Sequence, residues 1–113
     1  MEIGLLDYII KIIMIAMEYK LIDNTEGKQY EYHINGVIAK IEYIRTKDKI
    51  YLTHTEVPKE VEGQGVASAL VKDVLKDIES KELTLIPMCP FVASYIKRHP
   101  DWKKLVLKGV NIA

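Results

Sequence analysis

Cysteine occurs once in these 113 residues, at Cys89, so no disulfide closes within the chain. Cys89, His33, His54 and His99 are not at zinc-ligand spacing, so no metal site is expected either. A reducing, cytoplasmic setting fits that usage. Charge of one sign is also missing: Lys plus Arg and Asp plus Glu number 16 each. That balance argues against a basic surface for nucleic acid or another polyanion. No long apolar run is present. The stretch Ile3 to Ala16 is interrupted by Asp7 and Lys11 and falls short of the roughly 20 residues that cross a bilayer. Glu2, and no Lys or Arg, stands before it, unlike the start of a secretory signal. No membrane association is expected.

What remains is enough for one core. At 49% hydrophobic residues, a chain of this length reads as a single domain without repeats or linkers. Residues 1–16 read as an apolar helical extension, with Asp7 and Lys11 spaced to pair on one helix face, and 17–113 as the domain proper. The extension is expected to pack on the domain or on a second copy, which makes a homodimer one expectation.

The most informative run is Glu62-Gly-Gln-Gly-Val-Ala67. It follows Ile50 to Val57, rich in β-branched and apolar residues, and precedes Val66, Leu70, Val71, Val74, Leu75 and Ile78, which recur at helical spacing. The glycines therefore open a helix. A helix start presents unpaired N–H donors and about half a unit of positive charge, and glycine lets phosphates approach the backbone. A pyrophosphate-bearing ligand is the first expectation, with a plain tight turn as the alternative. A P-loop is excluded because Val66 and Ala67 follow Gly65, and a dinucleotide fingerprint because Ser68 stands where its third glycine belongs.

Around this run the chain reads as a β-meander followed by strand, helix, strand and helix. Strands are expected over Glu18 to Ile22, Gln29 to Ile34, Val37 to Ile44 and Ile50 to Val57. Turns fall at Asp23 to Gly27, Asn35-Gly36 and Thr46 to Lys49; Asn-Gly is the signature of a two-residue hairpin. A helix from Gly65 to Ser80, a strand over Leu83 to Ile86, a short helix from Pro90 to Arg98 and a last strand at Leu105 to Leu107 complete an α/β fold with a mixed sheet.

Four blocks in this order carry a family resemblance: Ile50-Tyr-Leu-Thr-His-Thr-Glu-Val-Pro58, Gly63-Gln-Gly-Val-Ala-Ser-Ala-Leu-Val71, Leu83-Thr-Leu-Ile-Pro-Met-Cys-Pro-Phe91 and Tyr95-Ile-Lys-Arg-His-Pro-Asp-Trp102. From about Glu18 to Leu107 the chain resembles the minimal, single-domain GNAT-like N-acetyltransferases, which lack the leading helices of larger relatives and carry one cysteine after the penultimate strand. The resemblance implies acetyl-CoA as cofactor. It makes Gly63, Gln64, Gly65, Val66, Ala67 and Ser68 the diphosphate loop, and Thr55, Glu56 and Val57 backbone contacts of the pantetheine arm. Where the wider family places Arg or Gln before the first glycine this chain has Glu62, an unfavourable charge near a diphosphate that leaves the backbone donors intact.

Acetyl transfer needs a nucleophile, a base for its proton and an acid for the departing thiolate. Cys89 precedes a helix whose N-terminus favours a thiolate, so it is a candidate nucleophile, with a small buried residue as the alternative reading. Tyr95 occupies the position of a family tyrosine that protonates the thiolate, although Phe91, Val92, Tyr95 and Ile96 share a packing pattern. An imidazole suits general-base work near neutral pH, which makes His54 a candidate base, with a hydrogen-bonded structural histidine as the alternative reading. His54 and Glu56 alternate with Ile50 and Leu52 and are expected on their face. Lys97, Arg98 and Lys103 are candidates for the 3′-phosphate. Two function classes follow: an acetyl-CoA-dependent N-acetyltransferase acting on a small or protein-borne amine, and a non-catalytic CoA-binding or interaction module on the same fold.

Overall fold

Asn35 and Gly36 both adopt left-handed backbone (φ 49 and 81), so the expected hairpin turn forms between strands β2 (Gln29–Ile34) and β3 (Val37–Arg45). With β1 (Ile22–Asn24), β4 (Lys49–Glu56) and β5 (Thr84–Pro87), these make a five-stranded sheet in the order β1-β2-β3-β4-β5. The first four strands are antiparallel neighbours, and β5 joins β4 in parallel. Helix α1 (Val66–Ser80) makes the β4–β5 crossover, and α2 (Pro90–Arg98) follows β5. The computed structural model describes residues 4–9 and 19–112, a single α/β domain with a helical turn at 5–9. Residues 1–3 and 10–16 of the expected extension, Lys11 of its expected ion pair and Glu18 of the expected first strand lie outside the described residues. No helix among the described residues is long and apolar enough to cross a membrane.

One face of the sheet, called inner here, carries the core. Tyr30, Tyr32, Ala39, Ile41, Tyr43, Ile50, Leu52 and Leu85 are buried there against Leu70, Val71, Val74, Leu75 and Ile78 of α1 and Val92 and Ile96 of α2. The tyrosines are buried by their rings and satisfied at their tips. Tyr30 donates to Asp77 (2.6 Å), Tyr43 to Asp23 (2.5 Å), and Tyr32 to Asp73 and to the Ala69 carbonyl. Burial, then the facing carboxylate, pushes the hydroxyl pKa of Tyr30 and of Tyr43 above the ordinary tyrosine range. Lys81 closes the cluster, its ammonium reaching Asp77 at 2.6 Å and Asp23 at 3.0 Å.

The strand and helix ends differ from the sequence expectation by a residue at several places, and two elements differ by more. The first strand starts at Ile22 and continues through Asn24, because Asp23 finds Tyr43 and Lys81, and the Asn24 amide finds Glu31 at 2.8 Å, before the chain turns. In place of the expected last strand, Leu105 to Leu107, Leu105 ends a 3-10 helix, Pro100–Leu105, and Val106 makes a single parallel bridge to Leu85. Pro100 directly after His99 ends α2 and starts the tighter helix.

On the outer face Glu31 is 5% exposed yet charged, accepting hydrogen bonds from Asn24, His33 (2.7 Å) and Gln29 (2.5 Å). These hydrogen bonds, led by Asn24, depress its pKa from 4.5 to about 2. A depressed carboxylate stabilises the fold above its unfolded pKa and loses that contribution as pH falls through its folded one. Stability should therefore drop between about pH 4.5 and 2, by on the order of 3 kcal/mol from this group at full effect. Urea titrations across that window should show a shallower slope in Glu31→Gln; an unchanged slope would remove Glu31 from the acid response.

Candidate active site at the open edge of β4

Beyond β4 the chain runs through Val57 and Pro58 into a short 3-10 helix, Lys59–Val61, anchored by the buried Val61. Gly63 and Gly65 then take positive φ (77 and 74), and Gly65 is the N-cap of α1 with no side chain to cap it. A Cβ added at either glycine would meet nothing within 4 Å, so the space outside the loop is open. The first backbone bond of the helix is Ala69 N–H to the Gly65 carbonyl. Every backbone N–H from Gly63 through Ser68 is left unbonded within the described residues. These donors are set at the positive end of a 15-residue helix, an arrangement whose electrostatics favour an anion. Glu62 is exposed at its entrance.

Beside the loop the parallel pair opens. β4 and β5 stay in register from Lys49 with Thr84 to Leu52 with Pro87. There the Leu52 carbonyl accepts both the Met88 and the Cys89 N–H, at 3.0 and 2.9 Å, and the chain turns into α2. From Thr53 to Glu56, β4 keeps β3 on one side and has no strand on the other among the described residues. An extended chain segment, such as an amide-bearing ligand arm, could pair with that edge, which contains the Thr55 and Glu56 backbone; Val57 lies immediately after it.

A β-bulge decides which side chains face this opening. Glu42 is registered with His54, but Tyr43 with Leu52, so Thr53 is the extra residue in β4. Its hydroxyl donates to the Glu42 carbonyl at 3.2 Å. The bulge reverses the alternation. Thr55, registered with the buried Ile41, takes the inner face, whereas His54 and Glu56 take the outer face with Glu42 and Lys40. The expectation that His54 and Glu56 share the face of Ile50 and Leu52 is therefore corrected. Both are exposed, and Glu56 meets Lys40 at 3.5 Å.

Cys89 is the N-cap of α2 and 5% exposed, with its Sγ 3.2 Å from the Thr55 hydroxyl. The structure thus brings Cys89 and the end of β4 together and places His54 across the sheet. Tyr95 lies six residues along α2, about 9 Å of helix rise from Cys89. Its ring stacks on His99 with centroids 4.1 Å apart, and its hydroxyl makes no hydrogen bond among the described residues. Burial raises its pKa, with Arg98 opposing and Asp73 adding to the effect. Lys97 and Lys103 border a groove lined also by Val106, Leu107, Val110 and Ile112 of the C-terminal segment. Two features went unread in the sequence. The bulge has no local signature, since Thr53, His54 and Thr55 all suit a strand, and the Thr55 side chain matters only because of it.

A family model described as GCN5-related N-acetyl-transferase matches residues 29–105. The match runs from the start of β2 to the end of the 3-10 helix after α2, and includes the loop, the bulge, Cys89 and Tyr95. No curated protein sequence matches the chain. Because the family match covers well over half of the 113 residues and contains the whole opening between β4 and β5, the chain belongs to the GCN5-related N-acetyltransferase family.

Proposed function

We propose that the protein is an acetyl-CoA-dependent N-acetyltransferase that passes an acetyl group to an amine through Cys89. The observation that carries this reading is the run of unbonded N–H groups from Gly63 to Ser68, beside a strand edge open from Thr53 onward. Acetyl-CoA, when bound, supplies an acetyl group activated as a thioester. Its diphosphate suits the Gly63, Gln64, Gly65, Val66, Ala67 and Ser68 cradle, and its pantetheine amides suit the backbone of Thr55, Glu56 and Val57. Glu62 weakens the electrostatics at the entrance without removing a donor.

In this reading the Cys89 sulfur, as thiolate, forms a bond to the acetyl carbon as the thioester C–S bond breaks. Tyr95 is the proposed donor of a proton to the departing sulfur. The amine nitrogen then bonds to the same carbon, the Sγ–C bond breaks and the nitrogen gives up a proton. His54, on the outer face of the strand whose inner face carries Thr55, is the proposed base for that proton. Because His54 and Thr55 take opposite faces of β4, the amine reaches the Cys89-bound acetyl carbon around the open edge of that strand. The outer face beside His54 is open among the described residues and bears Glu42, Glu56 and the exposed Ile44, a surface suited to a protonated amine. The amine is carried by a small molecule or by a protein.

Release of free CoA thiol from acetyl-CoA, followed against a panel of amines and lysine peptides, tests the proposal. Release that requires an acceptor is expected. Tight CoA binding with no acceptor-dependent release from any amine would instead support the binding-module reading.

A further inference from the structure

Thr55 enters the reading above only through its backbone, yet its side-chain hydroxyl lies 3.2 Å from the Cys89 sulfur. We infer that the Thr55 hydroxyl is a positioning group for Cys89, holding the sulfur at the mouth of the open β4 edge and donating a hydrogen bond to the thiolate. The inference rests on the proposed role of Cys89 and adds a residue to it.

The geometry leaves little else for this hydroxyl to do. Without the extra residue Thr53, strand alternation would turn Thr55 to the outer face and bring His54 inward. The bulge exchanges them and places the Thr55 Oγ1 3.2 Å from Cys89 Sγ. The neighbouring hydroxyl, on Thr53, is occupied by the Glu42 carbonyl. The Cys89 backbone is fixed independently, by its N–H on the Leu52 carbonyl and by its carbonyl on the Ala93 N–H. With the main chain pinned, the sulfur's direction is set by rotation about one bond, and Thr55 is its hydrogen-bonding side-chain partner. When the thiol loses its proton to solvent it keeps no hydrogen to donate, so the hydroxyl must be the donor. A thiolate accepting such a bond is stabilised more than a thiol is.

Cys89 is the sole cysteine, so alkylation by a small reagent such as iodoacetamide, read by intact mass, reports on this sulfur alone. The informative comparison is Thr55→Val, which keeps the shape and removes the hydroxyl, against Thr55→Ser, which keeps the hydroxyl and loses a methyl group. At fixed pH, Thr55→Val should slow alkylation by about tenfold while Thr55→Ser stays within about twofold of the parent protein. Equal slowing in both, or a parent rate in Thr55→Val, would overturn the inference and leave Thr55 as packing. If Thr55→Val does not fold, Thr55→Ala against Thr55→Ser answers the same question. The assay contains no acetyl-CoA. A hydroxyl-dependent rate in a protein that releases no CoA would therefore support the Thr55–Cys89 pair while refuting the transferase reading.

Discussion

Replacing Cys89 by alanine is expected to lower acetyl transfer by about 100-fold or more and to leave the intact protein without an acetyl adduct after exposure to acetyl-CoA. A nucleophile that carries the group between donor and acceptor cannot be bypassed without losing the advantage of two easier steps, so its removal should reach kcat and not only KM. The protein itself should survive the change. Cys89 is small and sits at the N-cap of α2 without a side-chain cap bond, so its truncation removes little packing and no helix hydrogen bond. A melting temperature near that of the parent, with turnover gone, is the predicted pair of results. Unchanged turnover would mean that the amine attacks the thioester directly. The cysteine would then be a core residue and His54 would be left as the base.

The second large effect is on stability. Leu52 is fully buried on the inner face, and its carbonyl accepts both N–H groups that turn the chain from β5 into α2. Leu52→Ala leaves a cavity where the sheet, α1 and α2 meet, at an expected cost of about 2–5 kcal/mol. Domains of this size have only about 5–15 kcal/mol in total. The melting temperature should fall by roughly 10 °C or more, and cofactor affinity should weaken with it because the open edge begins one residue later. A loss below about 1 kcal/mol in urea unfolding would show that the two helices do not depend on this position.

The parts of the fold that were legible in the sequence were those fixed by local chemistry. Helices α1 and α2 follow from apolar spacing, the β2–β3 turn from Asn35-Gly36, and the glycine loop from two positions where the backbone takes positive φ. Misreadings arose where distant partners decide. Asp23 and Asn24 look like turn residues, but Tyr43, Lys81 and Glu31 hold them in a strand. Leu105 to Leu107 suits a strand, but Pro100 commits the preceding residues to a 3-10 helix and only Val106 reaches β5. The face of His54 was misassigned for the same kind of reason. Alternation is a reliable guide until one extra residue reverses it, and the register of β3 against β4 is a property of the folded pair.

The central claim is that Gly63 to Ser68 hold acetyl-CoA by their backbone, and thermal unfolding with and without acetyl-CoA tests it most directly. The parent protein should be compared with Gly65→Asn, because asparagine tolerates the left-handed backbone of that position while its side chain fills the space in front of the donors. Ligand at about 100 times its dissociation constant should stabilise the parent protein by roughly 2.7 kcal/mol. The account predicts a clear upward shift in Tm for the parent protein and none for a folded Gly65→Asn. No shift for the parent protein at millimolar acetyl-CoA, or an equal shift in the variant, would contradict it.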